Sequence, residues 1–309
     1  MAACWRLAFW LVLAFATRAA MAEDANLALA SAARSGDVAA AAKAIEAGAE
    51  INRADFSGDT PLMRAAHQGH GQVAQLLLAK GAQMELRDSS GDTALLDAAR
   101  ACAGGVEQVL LKAGAVATDL DPYGANALML TADRCGEGAL KPLLEAAPQL
   151  DARDERGRTA LWRAIDHANL AAAEALLTAG ADPRLAPSDG PDPVWHAINR
   201  GGSGLVALLA RHGAAIDKPD ETGDTPLMLA ARMGDVAVIG QLLKSGVDLN
   251  RQNKLGLTAL MLAAAAGKCD AVAALLAGHA DRGLRDTRKE SALDIAKPLG
   301  LVDCISRLK

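Results

Sequence analysis

Gly58-Asp59-Thr60-Pro61-Leu62-Met63-Arg64-Ala65-Ala66-His67-Gln68-Gly69 is the stretch that decides the fold. Thr60 carries a side-chain oxygen that can accept a bond from the unpaired N–H groups of a first helical turn. Pro61 follows where a helix needs no donor, and Gly58 supplies the positive φ of a tight turn. A short helix is therefore predicted to start at Pro61 and to end near Gly69. The capping position then recurs every 33 residues, as Thr60, Thr93, Asn126, Thr159, Asp192, Thr225, Thr258 and Ser291. Its identity varies while its chemistry stays that of an N-cap.

Other columns keep the same period. Asp55, Asp88, Asp121, Asp154, Pro187, Asp220, Asn253 and Asp286 precede the caps, as do Gly58, Gly91, Gly124, Gly157, Gly190, Gly223 and Gly256. An acidic or amide side chain closing a local turn, followed by glycine, describes a hairpin tip. The pairs Ala65-Ala66, Ala98-Ala99, Ala230-Ala231 and Ala263-Ala264 let neighbouring first helices approach closely. A second helix carries Leu77, Leu110, Leu143, Leu176, Leu209, Leu242, Leu275 and Leu308, and Gly81, Gly114, Gly180, Gly213 and Gly246 end it. Such a unit cannot bury its apolar face alone, so stacking must close the core.

The run from Gly58 to Ala66, with Gly69, Leu76-Leu77 and Gly81-Ala82, resembles an ankyrin repeat. The resemblance implies an all-α solenoid with short β-hairpin tips, stacked as helix-turn-helix units. On this reading residues 23–54 form an N-terminal capping repeat, 55–285 seven complete repeats, and 286–309 a C-terminal capping repeat in which Lys289 replaces the tip glycine. Irregularities are expected at Ala147-Pro148, where proline cannot continue a helix, and at the tip bearing Pro187, Pro191 and Pro193.

Residues 1–22 have another character. Arg6 precedes the apolar run Leu7 to Ala16, and Ala20-Met21-Ala22 offers a small-residue site before Glu23. This reads as a signal peptide, too short to span a bilayer, and implies export to a bacterial periplasm, with secretion as the alternative. Its removal takes away Arg6 and Arg18 and no acid, leaving 30 basic against 37 acidic residues, a net of −7. An acidic chain without a basic stripe is a poor match for nucleic acid. After cleavage no membrane segment is expected, and the chain is expected to be monomeric.

Four cysteines follow the signal: Cys102, Cys135, Cys269 and Cys304. Cys102 and Cys135 share the column that ends the first helix, which favours a bond between adjacent repeats. Against it, packed helices lie about 8–10 Å apart, whereas a disulfide needs Cα atoms about 4.4–6.8 Å apart. Cys269 with Cys304 is the other pairing, and a buried thiol at Cys304 its alternative. No zinc-ligand spacing, catalytic motif or phosphate loop is present, so neither cofactor nor metal is expected. The column Met63, Leu96, Met129, Trp162, Trp195, Met228 and Met261 reads as packing between first helices, with Trp162 and Trp195 stacked.

The ankyrin resemblance implies a protein partner, bound along the concave groove by tips and first-helix ends. Here these positions are Phe56, Ser57, Asp59, His67, Gln68, Ser90, Asp92, Arg100, Tyr123, Asp133 and Arg134, then Glu155, Arg156, Arg158, Asp166, His167, Asn199, Arg200, Glu221, Asp224 and Arg232. The rival is an enzyme using acidic groups of the irregular 147–193 region, Asp151, Asp154, Asp166, Asp182, Asp189 and Asp192, with His167. A membrane-tethered spacer would require the signal to stay attached.

Overall fold

The computed structural model describes residues 21–146 and 149–309, and among them every regular element is helical. Most of the leader and the Ala147-Pro148 break lie outside the described residues. The chain divides into two compact units, Met1–Glu155 and Arg156–Lys309.

In the first unit the helices come in pairs: α1 (21–35) with α2 (Val38–Glu46), α3 (Pro61–His67) with α4 (Gly71–Ala79), α5 (Ala94–Arg100) with α6 (Gly104–Lys112), and α7 (Ala127–Arg134) with α8 (Glu137–Ala146). First helices pack on first helices, α3 on α5 and α5 on α7, while α2, α4, α6 and α8 form the second layer in the same order. Leu77, Leu110 and Leu143 are fully buried between the layers. Burying each leucine contributes about 1.5–3 kcal/mol relative to exposure. Ala65, Ala66, Ala98 and Ala99 are also fully buried, which allows the close approach of α3 and α5.

The second unit repeats the design. It pairs α9 (Ala160–Asp166) with α10 (Leu170–Thr178), α11 (Pro193–Asn199) with α12 (Ser203–Arg211), and α13 (Pro226–Met233) with α14 (Val236–Lys244). Then come α15 (Ala259–Ala265) with α16 (Cys269–Ala277), and α17 (Ala292–Ala296) with α18 (Val302–Leu308). The second-helix leucine column is buried here too, at Leu176, Leu209, Leu242, Leu275 and Leu308. Each unit is thus a solenoid of stacked helix pairs.

All eight residues of the 33-residue column are helix N-caps. Seven accept a backbone N–H through the side chain, and Thr93 does not. Two caps have an unforeseen partner. The thioether Sδ of Met63 accepts the Thr60 N–H at 3.3 Å, and Met228 does the same for Thr225. These methionines are buried, which leaves no exposed sulfur stripe in their column.

The tips are hydrogen-bonded turns that touch their neighbours. Asp55 N–H donates to the Asp59 carbonyl at 3.0 Å, and Ser89 N–H reaches across to the Ser57 carbonyl at 3.0 Å. That approach explains Gly58: its φ is +80°, and a Cβ there would lie 2.7 Å from the Ser89 nitrogen. Lys289 occupies the same column at φ 65°, a left-handed conformation taken here without glycine. Gly190, flanked by Pro187 and Pro191, is not in the left-handed region, although its N–H still closes the turn onto Pro187 at 3.3 Å.

Both cysteine pairs are bonded, Cys102 to Cys135 with Cα atoms 5.2 Å apart and Cys269 to Cys304 with Cα atoms 4.7 Å apart. The separation of helix axes does not govern the first pair. Cys102 and Cys135 lie in the turns after α5 and α7, where Cys102 takes the left-handed conformation (φ 58°) and Cys135 is extended.

Candidate functional site

Two sets of positions face outward in each unit: the tip residues just before a cap, and the last residues of each first helix. In the first unit Phe56 is wholly exposed and Tyr123 is 71% exposed. Ser57, His67, Gln68, Ser90, Arg100, Arg134 and Glu155 are exposed as well, with Asp59 and Asp133 half-buried. Phe56 also borders a groove lined by Glu23, Asn26, Leu27 and Arg64. In the second unit Arg156, His167, Asn199, Arg200, Glu221 and Arg232 are exposed, while Arg158 and Asp166 are half-buried.

Asp92 and Asp224 differ from that expectation, being only 3% and 7% exposed. Each lies under an arginine from the end of its own first helix. Arg100 Nε donates to Asp92 at 2.6 Å and its Nη2 to Asp121 of the next tip at 2.7 Å, and Arg232 pairs with Asp224 at 3.4 Å. Asp224 also accepts the Asn253 amide at 2.6 Å. These two carboxylates hold arginines in place rather than offering a contact of their own.

Arginine-to-tip pairing is the electrostatic rule of the first unit. Arg64 bonds Asp55 and lies 2.9 Å from Asp59. Burial pushes the Asp55 carboxyl up, but the Arg64 bond and the Ser57 and Asp59 N–H groups outweigh it and hold the group below its ordinary value. One repeat later the partner is reversed, because Asp97 stands in the column of Arg64. Asp97 is 8% exposed, and its Oδ2 has no hydrogen-bond partner. Oxygens of Asp59, Asp88 and Asp97 all lie within 4.8 Å of one another. Burial, and then the charges of Asp88, Asp92 and Asp59, push the Asp97 carboxyl up to about 8.

In the second unit the aromatic arrangement departs from the sequence expectation. Trp162 stacks on His196, with ring centroids 4.4 Å apart and planes 14° from parallel, not on Trp195. The His196 ring continues to Asp166 through Nε2 at 2.8 Å, and Arg200 bonds the same carboxylate. Burial raises Asp166, but the Arg200 and His196 bonds prevail and keep it low. Trp195 instead donates its indole N–H to the Lys218 carbonyl at 3.3 Å. Arg64, Asp97 and His196, which occupy one 33-residue column, are the site residues that sequence reasoning missed. Listing that column beside the tip aspartates is the signal that could have found them.

Several acidic groups of the 147–193 region are engaged in the fold. Asp192 caps α11 and lies 3.7 Å from Lys218, Asp182 pairs with Arg184 at 2.9 Å, and Asp154 is buried in its tip. Among the described residues no helix is long and apolar enough to cross a membrane.

A family model for ankyrin repeats (3 copies) matches residues 27–121 and 180–253, and one for ankyrin repeats (many copies) matches residues 242–296. No curated protein matches the chain.

Proposed function

The chain belongs to the ankyrin-repeat proteins, and from that premise we propose that it is a non-catalytic scaffold, exported by its N-terminal segment, that binds a protein partner through its tips and first-helix ends. The observation that carries this reading is the exposure of Phe56 and Tyr123. Both are aromatic groups held out on rigid turns in a chain with only 3% aromatic residues. Large aromatic side chains fixed in place are the usual anchors of a protein interface. Arg100 in the first unit, and Arg200 and Arg232 in the second, are each pre-oriented by a buried or half-buried aspartate, which lowers the entropy lost on binding.

Export is supported by the apolar run Leu7 to Ala16 followed by the small-residue site Ala20-Met21-Ala22 and by two disulfides, which persist in oxidising compartments. The periplasm is the compartment we favour. Two measurements test the reading. N-terminal sequencing should find Glu23 first, and finding Met1 in a membrane fraction would refute export. Affinity capture from that compartment, followed by mass spectrometry, should yield a protein whose recovery falls when Tyr123 and Phe56 are both replaced by alanine. Equal recovery would refute the tip-centred site.

A further inference from the structure

We infer that Asp59, Asp88 and Asp97 form a binding site for a hard divalent cation, of which Ca2+ is the best match. Their oxygens come from three places: the tip before α3, the tip before α5, and α5 itself. All three lie within 4.8 Å of one another, so a single ion can be reached at Ca2+–oxygen distances of about 2.3–2.6 Å. The donors are carboxylates alone, with no nitrogen or sulfur among them, which selects Ca2+ or Mg2+ over zinc.

Acidic residues often gather on a surface without an ion, but Asp97 sets this cluster apart. This carboxylate is more than nine-tenths buried, its Oδ2 lacks a hydrogen-bond partner among the described residues, and an oxygen of it lies within 4.8 Å of oxygens of two further carboxylates. The flanking repeats show what the position otherwise holds. Arg64, one repeat earlier, satisfies Asp55 and approaches Asp59, whereas Asp88 offers its Oδ1 to the Ser90 and Asp92 N–H groups and receives no arginine comparable to the Arg100 bond on Asp121. The cationic groups beside the cluster are shared with other carboxylates: Arg64 bonds Asp55 and pairs with Asp59 at 2.9 Å, and Arg100 bonds Asp92 and Asp121. A buried carboxylate left among like charges costs free energy, and a divalent ion offsets it directly. Three carboxylates, the rest of the shell being water, correspond to a Kd of about 0.1–1 mM, the range of extracellular Ca2+ modules. Mg2+ gives up its waters more reluctantly and demands stricter geometry, so it should bind more weakly.

The test uses the full mature chain, stripped with chelator, at pH 7.5. CaCl2 is titrated by isothermal calorimetry and melting is followed with and without 5 mM CaCl2, a concentration about 5- to 50-fold above the expected Kd. The unaltered chain should bind one Ca2+ and melt at higher temperature with it, with weaker binding of MgCl2. Asp97→Asn and Asp88→Asn should each weaken Ca2+ binding at least tenfold, and Asp294→Asn, on α17, should not. Asparagine keeps one oxygen acceptor, enough for the N–H groups that bond Asp88 Oδ1, and the ion-free melting of each variant reports that it is folded. No Ca2+ heat and no melting shift in the unaltered chain would mean that the three carboxylates share only a proton, and would overturn the inference. Unchanged Ca2+ binding in both folded variants would overturn it as well.

Discussion

Replacing Glu107 by glutamine should stabilise the protein above neutral pH and leave it nearly unchanged in acid. Glu107 lies on α6, fully buried, with one oxygen accepting the Thr131 hydroxyl at 3.3 Å and the other without a partner. Burial, only partly offset by the Thr131 bond, pushes its carboxyl from 4.5 up to about 7. Between those values the folded protein holds a proton that the unfolded chain has lost. Stability supplied by that proton is complete below about pH 4.5 and falls as pH rises to about 7. At about 1.4 kcal/mol per pH unit, the loss amounts to about 3–4 kcal/mol. Glutamine keeps the acceptor for Thr131, has nearly the same shape and never ionises. Urea melts of both proteins at pH 4.5, 6 and 8 measure the difference, in which the remaining titrating groups largely cancel. The glutamine variant should gain about 3–4 kcal/mol at pH 8 relative to its difference in acid. A difference that stays flat with pH would refute the claim that a buried ionising carboxyl limits stability here.

Other expectations follow from the same contacts. Thr159→Val should cost about 1 kcal/mol by removing the bond to Trp162 N–H. Thr93→Val should be neutral or stabilising, because the Thr93 hydroxyl is buried without a partner; equal losses in paired urea melts would contradict this. Leu176→Ala should cost about 2–5 kcal/mol by leaving a cavity beneath α10, read as a lowered melting temperature with partner affinity unchanged in the folded fraction. Thiol counting on unfolded, unreduced mature protein should find none of its four cysteines reactive. Replacing Cys102 and Cys135 together by alanine should cost about 3–4 kcal/mol, as expected for a loop of 33 residues. Four reactive thiols would rule out both bonds.

What the sequence made legible was local. The cap column, the tip glycines and the buried leucines depend on residues within one turn, where spacing and side-chain chemistry suffice. Contacts between repeats were harder to see. Trp162 meets His196 rather than Trp195 because the ring facing it comes from the next column, 34 positions on, so same-column stacking was the wrong geometry. Asp92 and Asp224 looked like surface positions because tips are exposed as a class, yet each tip folds one carboxylate beneath an arginine from its own first helix. A thioether serving as the acceptor in a capping box was also invisible, since methionine in an apolar column reads as packing alone. The acidic triad escaped notice because its members come from two tips and a helix, and no spacing motif joins them.

The central claim is that the tips and first-helix ends are the binding surface. It is tested most directly by site-specific crosslinking in the exporting cell, with a photoreactive benzophenone amino acid placed singly at Phe56, Tyr123 or Arg200, and at the exposed second-helix positions Gln75 and Glu174. The account predicts adducts to one protein partner from the first three positions and none from Gln75 or Glu174. Adducts from the second-helix positions, with none from Phe56, Tyr123 and Arg200, would contradict it.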